Sequence, residues 1–276
     1  MTTEDLLAGV EDIARQAGRV VMEVYATEFE IRAKGDASPV TVADQRAETL
    51  IVAALQALTP DIPIVAEEAI AASKVPAVAE RFWLVDPLDG TREFIDRNGE
   101  FTVNIALVEH GVACLGVVLA PALQRLYSGA VGRGAWVEHA GGRSAIRCRR
   151  PPTQGLTVVA SRSHADMDAL HAHLAGAEVS SWRRVGSSLK LCLVAEGEAD
   201  IYPRLGRTME WDIAAAQSVL CAAGGSVTDL HGAPLRYGKP GFENPAFVAR
   251  GLDAPGEDPH RPSRDQRAWP GINKDS

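Results

Sequence analysis

The apolar run Phe82-Trp83-Leu84-Val85 leads straight into Asp86-Pro87-Leu88-Asp89-Gly90-Thr91, so a segment patterned as a buried strand ends in two aspartates three positions apart. A second apolar run, Ile62 to Ala66, ends the same way in Glu67 and Glu68. Two buried strands that both finish in carboxylates restrict the fold: the strand ends must come together where charge can be balanced. Two unit charges about 4 Å apart repel by about 4 kcal/mol at an effective dielectric of about 20, so Glu67, Asp86 and Asp89 on adjacent strand ends oppose folding unless protonated or bound to cations. An all-oxygen set is what Mg2+ prefers. Pro87 stiffens the link between the aspartates, and the Leu88 carbonyl between them is another hard oxygen. Gly90 and Thr91 open a turn or helix whose backbone N–H groups can receive a phosphate, with glycine allowing close approach. Taken alone, D-x-x-D is more often a solvated loop or a helix cap. Here the carboxylates follow apolar strands, and a further aspartate, Asp212 in "MEWDIAAA", stands downstream; by itself Asp212 reads as a helix cap.

Apolar residues from Leu6 to Val24 recur at helical spacing and predict a helix over about Glu4 to Tyr25. After a polar loop, "RAKGDASP", a second helix runs from near Thr41 to Thr59-Pro60, which places Asp44 in its first turn. "FTVNIALVEHGVACLGVVLA" reads as two strands joined at His110-Gly111, and Arg125 to Val137 continues as a hairpin around Gly132 to Gly134. Beyond Pro151-Pro152 the pattern alternates: strand "LTVVAS", helix near Ala165 to Ala175, strand near Val179 to Val185, helix "SSLKLCLVAEG", strand "ADIYP" and helix "EWDIAAAQSVLCAAGG". The expected organisation is an N-terminal α+β half over 1–153 carrying the metal and phosphate site, and a C-terminal α/β half over 154–250. The last segment, 251–276, holds four prolines and little apolar periodicity and is expected to be a disordered tail.

Composition excludes several functions. With 276 residues, 46% of them hydrophobic, the chain can bury a large core, and its formal charge of -8 argues against a nucleic-acid polymer or an anionic membrane as partner. An anionic substrate therefore needs cations from outside. No run is long and apolar enough to span a bilayer, and the acidic N-terminus does not resemble a signal peptide. The four cysteines are widely separated with no C-x-x-C spacing, which reads as free thiols in a reducing cytoplasm; peripheral inner-membrane association stays open. His171 and His173 lie two apart on a helix and face different ways, so they are no metal pair. Arg143, Arg147, Arg149 and Arg150 read as a solvated strand edge.

"IVAEEA", "WLVDPLDGTREF" and "EWDIAAAQSVLCAAGG" resemble, in order, the signature regions of the lithium-sensitive, magnesium-dependent phosphomonoesterases, the inositol monophosphatase superfamily; the likeness spans about residues 1 to 250. "SPVTVADQRAE", "RNGEFTVNIALVEHG", "SRSHAD" and "GSSLKLCLVAEGEADIYPR" resemble the bacterial CysQ-type 3'(2'),5'-bisphosphate nucleotidases within it. The resemblance implies a layered α/β/α/β/α sandwich and two or three Mg2+ ions. It implies that Glu67, Asp86, Asp89, the Leu88 carbonyl and Asp212 are ligands, with Asp86 bridging two ions and Glu68 orienting ligands or the water of a third. It also implies that Thr91 orients or deprotonates the attacking water with Asp44 as general base, and that no covalent phosphoenzyme forms. Gly90, Thr91, Glu67, Leu88, Asp89 and Asp212 would meet the substrate's reacting phosphate. His164, Ser187, Lys190 and Arg204 would contact the nucleotide, Lys190 and Arg204 being the cations suited to a second phosphate.

The implied reaction removes the 3'-phosphate of adenosine 3',5'-bisphosphate, a by-product of sulfate assimilation. An inositol or other sugar monophosphatase needs the same metal core without the nucleotide contacts. A non-catalytic, metal-dependent regulatory protein is the reading from another class. Monomer and homodimer both stay open.

Overall fold

The computed structural model describes residues 1–33, 39–73, 78–163 and 165–253. Helix α1 (Thr3–Tyr25) starts on a capping box, in which the Thr2 hydroxyl accepts the Asp5 N–H and Asp5 returns the favour to the Thr2 N–H. Strands β1 (Ile31–Ala33) and β2 (Pro39–Thr41) pair antiparallel at either end of the segment expected as a loop. Helix α2 (Val42–Leu58) opens on a second capping box, made by Thr41 and Asp44.

Strand β3 (Ile64–Ala66) runs into the short helix α3 (Glu67–Ala71) and lies parallel to β4 (Arg81–Asp89). After α4 (Thr91–Ile95) comes an antiparallel meander of β5 (Thr102–Glu109), β6 (Val112–Ala120), β7 (Arg125–Ala130), β8 (Gly134–His139) and β9 (Gly142–Ile146). These strands form a seven-stranded sheet in the order β3-β4-β5-β6-β7-β8-β9.

The second half contributes β10 (Leu156–Ser161), α5 (Met167–His173), β11 (Val179–Val185), α6 (Leu189–Ala195), β12 (Ile201–Arg204), β13 (Thr208–Met209), α7 (Glu210–Ala222), β14 (Ser226–Asp229), β15 (Glu243–Asn244) and β16 (Phe247–Arg250). Five of its strands form a second sheet, β11-β10-β12-β16-β14, while β13 and β15 pair separately.

Period-two alternation in the first sheet decides what each face buries. Trp83, Val85, Ile105 and Leu107 pack with Val10, Ala17, Ile51 and Leu55 of α1 and α2. Their neighbours Leu84, Ala106 and Val108 pack on the other face with Leu191 and Val194 of α6 and Ala215 and Val219 of α7. Each buried Val, Leu or Ile among them contributes about 1.5–3 kcal/mol relative to exposure. Gly116 makes the second contact close: a Cβ there would stand 2.2 Å from Ala215 O, so only glycine lets α7 lie this near β6. The other face of the second sheet is covered at Val158, Ile201 and Val248 by Leu174, the cap of α5, and His171 meets the Trp182 ring edge-on at 5.0 Å. The layers are α1/α2, first sheet, α6/α7, second sheet and α5.

Two expectations change. Strand β9 does lie at the sheet edge, but Arg143 donates to the buried Glu11 at 2.8 Å and Arg149 grips the buried Asp200 with both Nε and Nη2 at 2.8 Å, so these two arginines hold elements together instead of forming a free basic strip. Gly251 and Leu252 donate to Asp200 O and Arg149 O, which carries the ordered chain past residue 250; 254–276 lie outside the described residues. The four cysteines are free thiols, and burial pushes Cys114 and Cys148 up to about 12 and Cys221 up to about 11. No helix among the described residues is long and apolar enough to cross a membrane.

Candidate active site

Asp86 faces Asn104 on the neighbouring strand and Asp89 faces Thr102, so three steps along β4 match two along β5. In a regular strand, residues three apart project to opposite faces. The irregularity between Asp86 and Asp89 is a bulge, and it returns Asp89 to the face from which Asp86 projects. Pro87, which has no N–H for a ladder bond, falls inside that bulge. The Leu88 N–H donates back to Asp86 Oδ1 at 3.0 Å, its side chain is buried in the core, and its carbonyl accepts from the Thr91 hydroxyl at 3.3 Å.

Gly90 caps α4 with φ +87°, a left-handed conformation that suits glycine. A Cβ at Gly90 would also stand 3.2 Å from Glu100 O and 3.3 Å from Ser187 Cβ, so the turn after β4 and the turn before α6 meet here. Thr91 follows, its hydroxyl 3.3 Å from Asp44 Oδ1. The other Asp44 oxygen accepts the Thr41 N–H and hydroxyl, each at 2.8 Å. The expected helix-start aspartate is thus also a neighbour of Thr91.

Glu67, Asp89, Gly90, Thr91, Ser187, Lys190, Arg204 and Asp212 line one cavity of about 320 Å³. Asp86 and Leu88 do not line it and are 1% exposed. His164 lies outside the described residues. Burial pushes Asp89 up to about 6, with the charges of Glu93 and Glu67 adding to the effect and Lys190 and the Ser188 N–H opposing it. Burial also raises Asp212 well above the carboxylate range, reinforced by Asp89 and Glu67. Asp212 sits in the first turn of α7 and accepts the Met209 N–H at 2.8 Å. Lys190 is no exposed helix lysine: burial lowers it to about 8 while Asp89 pulls the other way, and its ammonium donates to Ser187 O and lies 5.5 Å from the Tyr202 ring centroid.

The donor set fits a hard divalent cation, because four carboxylates and a carbonyl are all oxygen, and burial and mutual repulsion make the charged forms of Asp89 and Asp212 costly unless a positive charge is brought in. As they stand, no three His, Cys, Asp or Glu side chains among the described residues are grouped closely enough to hold an ion. Backbone donors fix one oxygen of each aspartate: Leu88 N–H bonds Asp86 Oδ1, Met209 N–H bonds Asp212 Oδ2, and Ser188 N–H bonds Asp89 Oδ2 at 2.6 Å.

Sequence reasoning missed several residues of the wall. Arg207, Trp211 and Tyr202 line the cavity, and Tyr202, with the expected Arg204, also lines an adjoining one of about 290 Å³ beside Ala169 and Leu170 of α5. Thr102 and Asn104, which face the aspartates, were visible as polar residues at alternate positions of an apolar strand.

A layered sandwich with a carboxylate-lined cavity at the end of β4 defines the class, and the chain belongs to the inositol monophosphatase family, whose profile matches residues 3–254. Its relatives include the 3'(2'),5'-bisphosphate nucleotidase CysQ of Escherichia coli (strain K12), 49% identical over 247 residues that cover 88% of this chain and 98% of the relative. Among solved structures it is similar to CysQ from Bacteroides thetaiotaomicron, with a TM-score of 0.76 and 34% identity over 90% of this chain and 98% of that one. It is also similar to the inositol monophosphatase of Anabaena, with a TM-score of 0.72 and 27% identity over 90% of each chain.

Proposed function

We propose that this chain is a magnesium-dependent 3'(2'),5'-bisphosphate nucleotidase that converts adenosine 3',5'-bisphosphate to AMP and phosphate, and so clears a by-product of sulfate assimilation in the cytoplasm. The observation that carries this reading is the shared cavity: Glu67, Asp89 and Asp212 line it together with Lys190, Arg204 and Arg207. A sugar monophosphate needs only the carboxylate side, whereas a bisphosphate brings a second anion for the arginines. The relatives named CysQ support the same choice.

Glu67, Asp86, Asp89, Asp212 and the Leu88 carbonyl would hold two or three Mg2+ ions. When bound, Mg2+ supplies charge neutralisation for the carboxylates and the phosphate, and acidity for water. The chain's own residues do the rest. Asp44 Oδ1 faces the Thr91 hydroxyl and can take a proton through it from a water placed at the cavity wall. No protein group has to carry the phosphoryl group. Arg204 lines the cavity and would meet the distal phosphate, and Ser187 presents the turn before α6 to the nucleotide. The metal and phosphate groups come chiefly from 1–153 and the discriminating groups from 154–250, and either a monomer or a homodimer can carry the complete site.

Phosphate release measured across adenosine 3',5'-bisphosphate, its phosphosulfate analogue, AMP and inositol monophosphates, with Mg2+ and with excess chelator, tests the reading. Preference for the bisphosphate that vanishes in chelator is expected. Faster turnover of the sugar phosphates would reassign the substrate class, and full activity in chelator would overturn the metal chemistry.

A further inference from the structure

Three buried polar side chains sit beside the aspartates: Thr102 and Asn104 are 0% exposed, and Ser188, at the cavity wall, is 2% exposed. Thr102 and Asn104 share a face of β5 with Ala106 and Val108, which join the apolar core, so this face changes from apolar to polar only beside the site. Buried polar groups at those positions are costly unless fully bonded. They are bonded, and counting protons orients them. The Ser188 hydroxyl donates its one proton to Asn104 Oδ1 at 2.8 Å, so in the 2.9 Å contact between Ser188 and Thr102 it is Thr102 that donates. With Asn104 Oδ1 occupied as an acceptor, its Nδ2 points the other way, toward Asp89 Oδ2 and Asp212 O at 3.4 Å each. The Ser188 N–H completes the set at 2.6 Å from Asp89 Oδ2.

We propose that Ser188, locked by Thr102 and Asn104, is a positioning unit that sets Asp89 against Asp212 for a divalent cation and ties that setting to the turn before α6. The Asn104 amide and the Ser188 N–H both reach Asp89 at Oδ2, so Oδ1 is the oxygen left for the cavity that Asp89 lines. The same Asn104 amide touches the backbone of Asp212, so one side chain spans both carboxylate positions. Ser188 belongs to the other half of the molecule. Its neighbour Ser187 lines the cavity in a left-handed conformation, φ +46°, with its carbonyl accepting from Lys190. Glu100 fastens the same turn by accepting the Gly186 N–H at 2.8 Å while it holds Arg162. A shift of this turn would therefore move the donor on Asp89. The strength lies in the short contacts made by Ser188; the 3.4 Å contacts from Asn104 steer more than they bind.

The proposal rests on Asp89 and Asp212 being cation ligands, and its test separates the two ideas. Mg2+ is titrated calorimetrically into the substrate-free full chain and into Thr102→Val, Thr102→Ser, Asn104→Ala and Ser188→Ala, with melting temperatures in chelator as the check on folding. Valine keeps the shape of Thr102 and removes only the hydroxyl; serine keeps the hydroxyl. Thr102→Val, Asn104→Ala and Ser188→Ala are expected to weaken Mg2+ binding about ten- to a hundredfold, the usual cost of losing a partner behind a ligand, while Thr102→Ser stays within about threefold. Wild-type affinity in Thr102→Val and Asn104→Ala overturns the proposal. So does an equal loss in Thr102→Ser, which would make shape and not the hydroxyl the cause. A wild-type chain that takes up no Mg2+ overturns the underlying reading instead.

Discussion

The Thr91 hydroxyl stands 3.3 Å from Asp44 Oδ1, while Asp44 Oδ2 is occupied by the N–H and hydroxyl of Thr41. One carboxylate thus caps α2 with one oxygen and faces the site with the other. The contact to Thr91 is longer than a strong O–H···O bond, as groups that act on a substrate often are before it arrives. Asp44→Asn separates the two roles. An asparagine oxygen can still accept from Thr41, so the melting temperature should fall by no more than the effect of about 1 kcal/mol, whereas the amide turned toward Thr91 cannot take a proton. Turnover should drop about 10²- to 10⁴-fold with Thr91→Ser retained far better than Thr91→Val. Steady-state kinetics beside thermal melts check this, and undiminished kcat in Asp44→Asn would remove Asp44 from the chemistry.

The carboxylate pair makes metal-free stability depend on pH with a definite sign. Asp89 is raised from 3.8 to about 6 in the folded chain, and Asp212 is raised well above 3.8 in the same direction. The folded state therefore binds protons that the unfolded state has released. The stability that Asp89 contributes is fully present below about pH 4, the unfolded carboxylate range, and is lost as pH rises through about 6, and Asp212 contributes with the same sign. In chelator, the contribution of these groups to the melting temperature should decline across this window. Added Mg2+ should raise the melting temperature more at pH 8 than at pH 5, because at pH 5 protons compete for the same oxygens. A Mg2+ shift of equal size at both values would count against the pair as ligands.

A related expectation concerns neutralising one member. Asp89→Asn keeps an oxygen for the Ser188 N–H but removes a charge that burial disfavours and that raises Asp212. At pH 8 in chelator the variant should melt no lower than the parent, and it should lose Mg2+-dependent turnover by orders of magnitude. A marked fall in its chelator melting temperature would show that Asp89 stabilises the fold as an anion, contrary to the repulsion argued here.

Much of this was legible before the fold was known, for physical reasons that differ by residue. Helices α1, α2 and α7 announce themselves by long apolar periodicity, and β4 by an apolar run that stops at Asp86. Strands β13 and β15 have two residues each and exist only because the chain folds back between Thr208 and Asn244, so no local pattern marks them. The bulge that turns Asp89 back to the side of Asp86 is hinted at by Pro87 but depends on pairing with β5. Arg143 reads as surface charge until Glu11, 132 positions earlier, arrives beside it. Lys190 is the clearest case: nothing in "SSLKLCLV" says that its ammonium is buried among Asp89, Glu93 and Asp212.

That burial changes which residue should discriminate between substrates. The sequence makes Lys190 and Arg204 equal candidates for a second phosphate, but the Lys190 ammonium is bonded to Ser187 O and so helps hold the turn that carries the Ser188 N–H to Asp89. Lys190→Met should then harm every substrate, lowering kcat/KM about ten- to a hundredfold on adenosine 3',5'-bisphosphate and on inositol monophosphate alike, as expected for losing a charged hydrogen bond of about 1.5–3 kcal/mol. Arg204 is placed differently. It lines both cavities and gives Nη2 to Arg207 O at 2.9 Å. A guanidinium at the wall of both cavities, with no carboxylate bond among the described residues, suits a phosphate that the metals do not hold. Arg204→Ala should cost about ten- to a hundredfold in kcat/KM on the bisphosphate, while the monophosphate stays within about threefold. Parallel kinetics on the two substrates decide: a selective loss in Lys190→Met, or an equal loss in Arg204→Ala, would reverse the roles given to them.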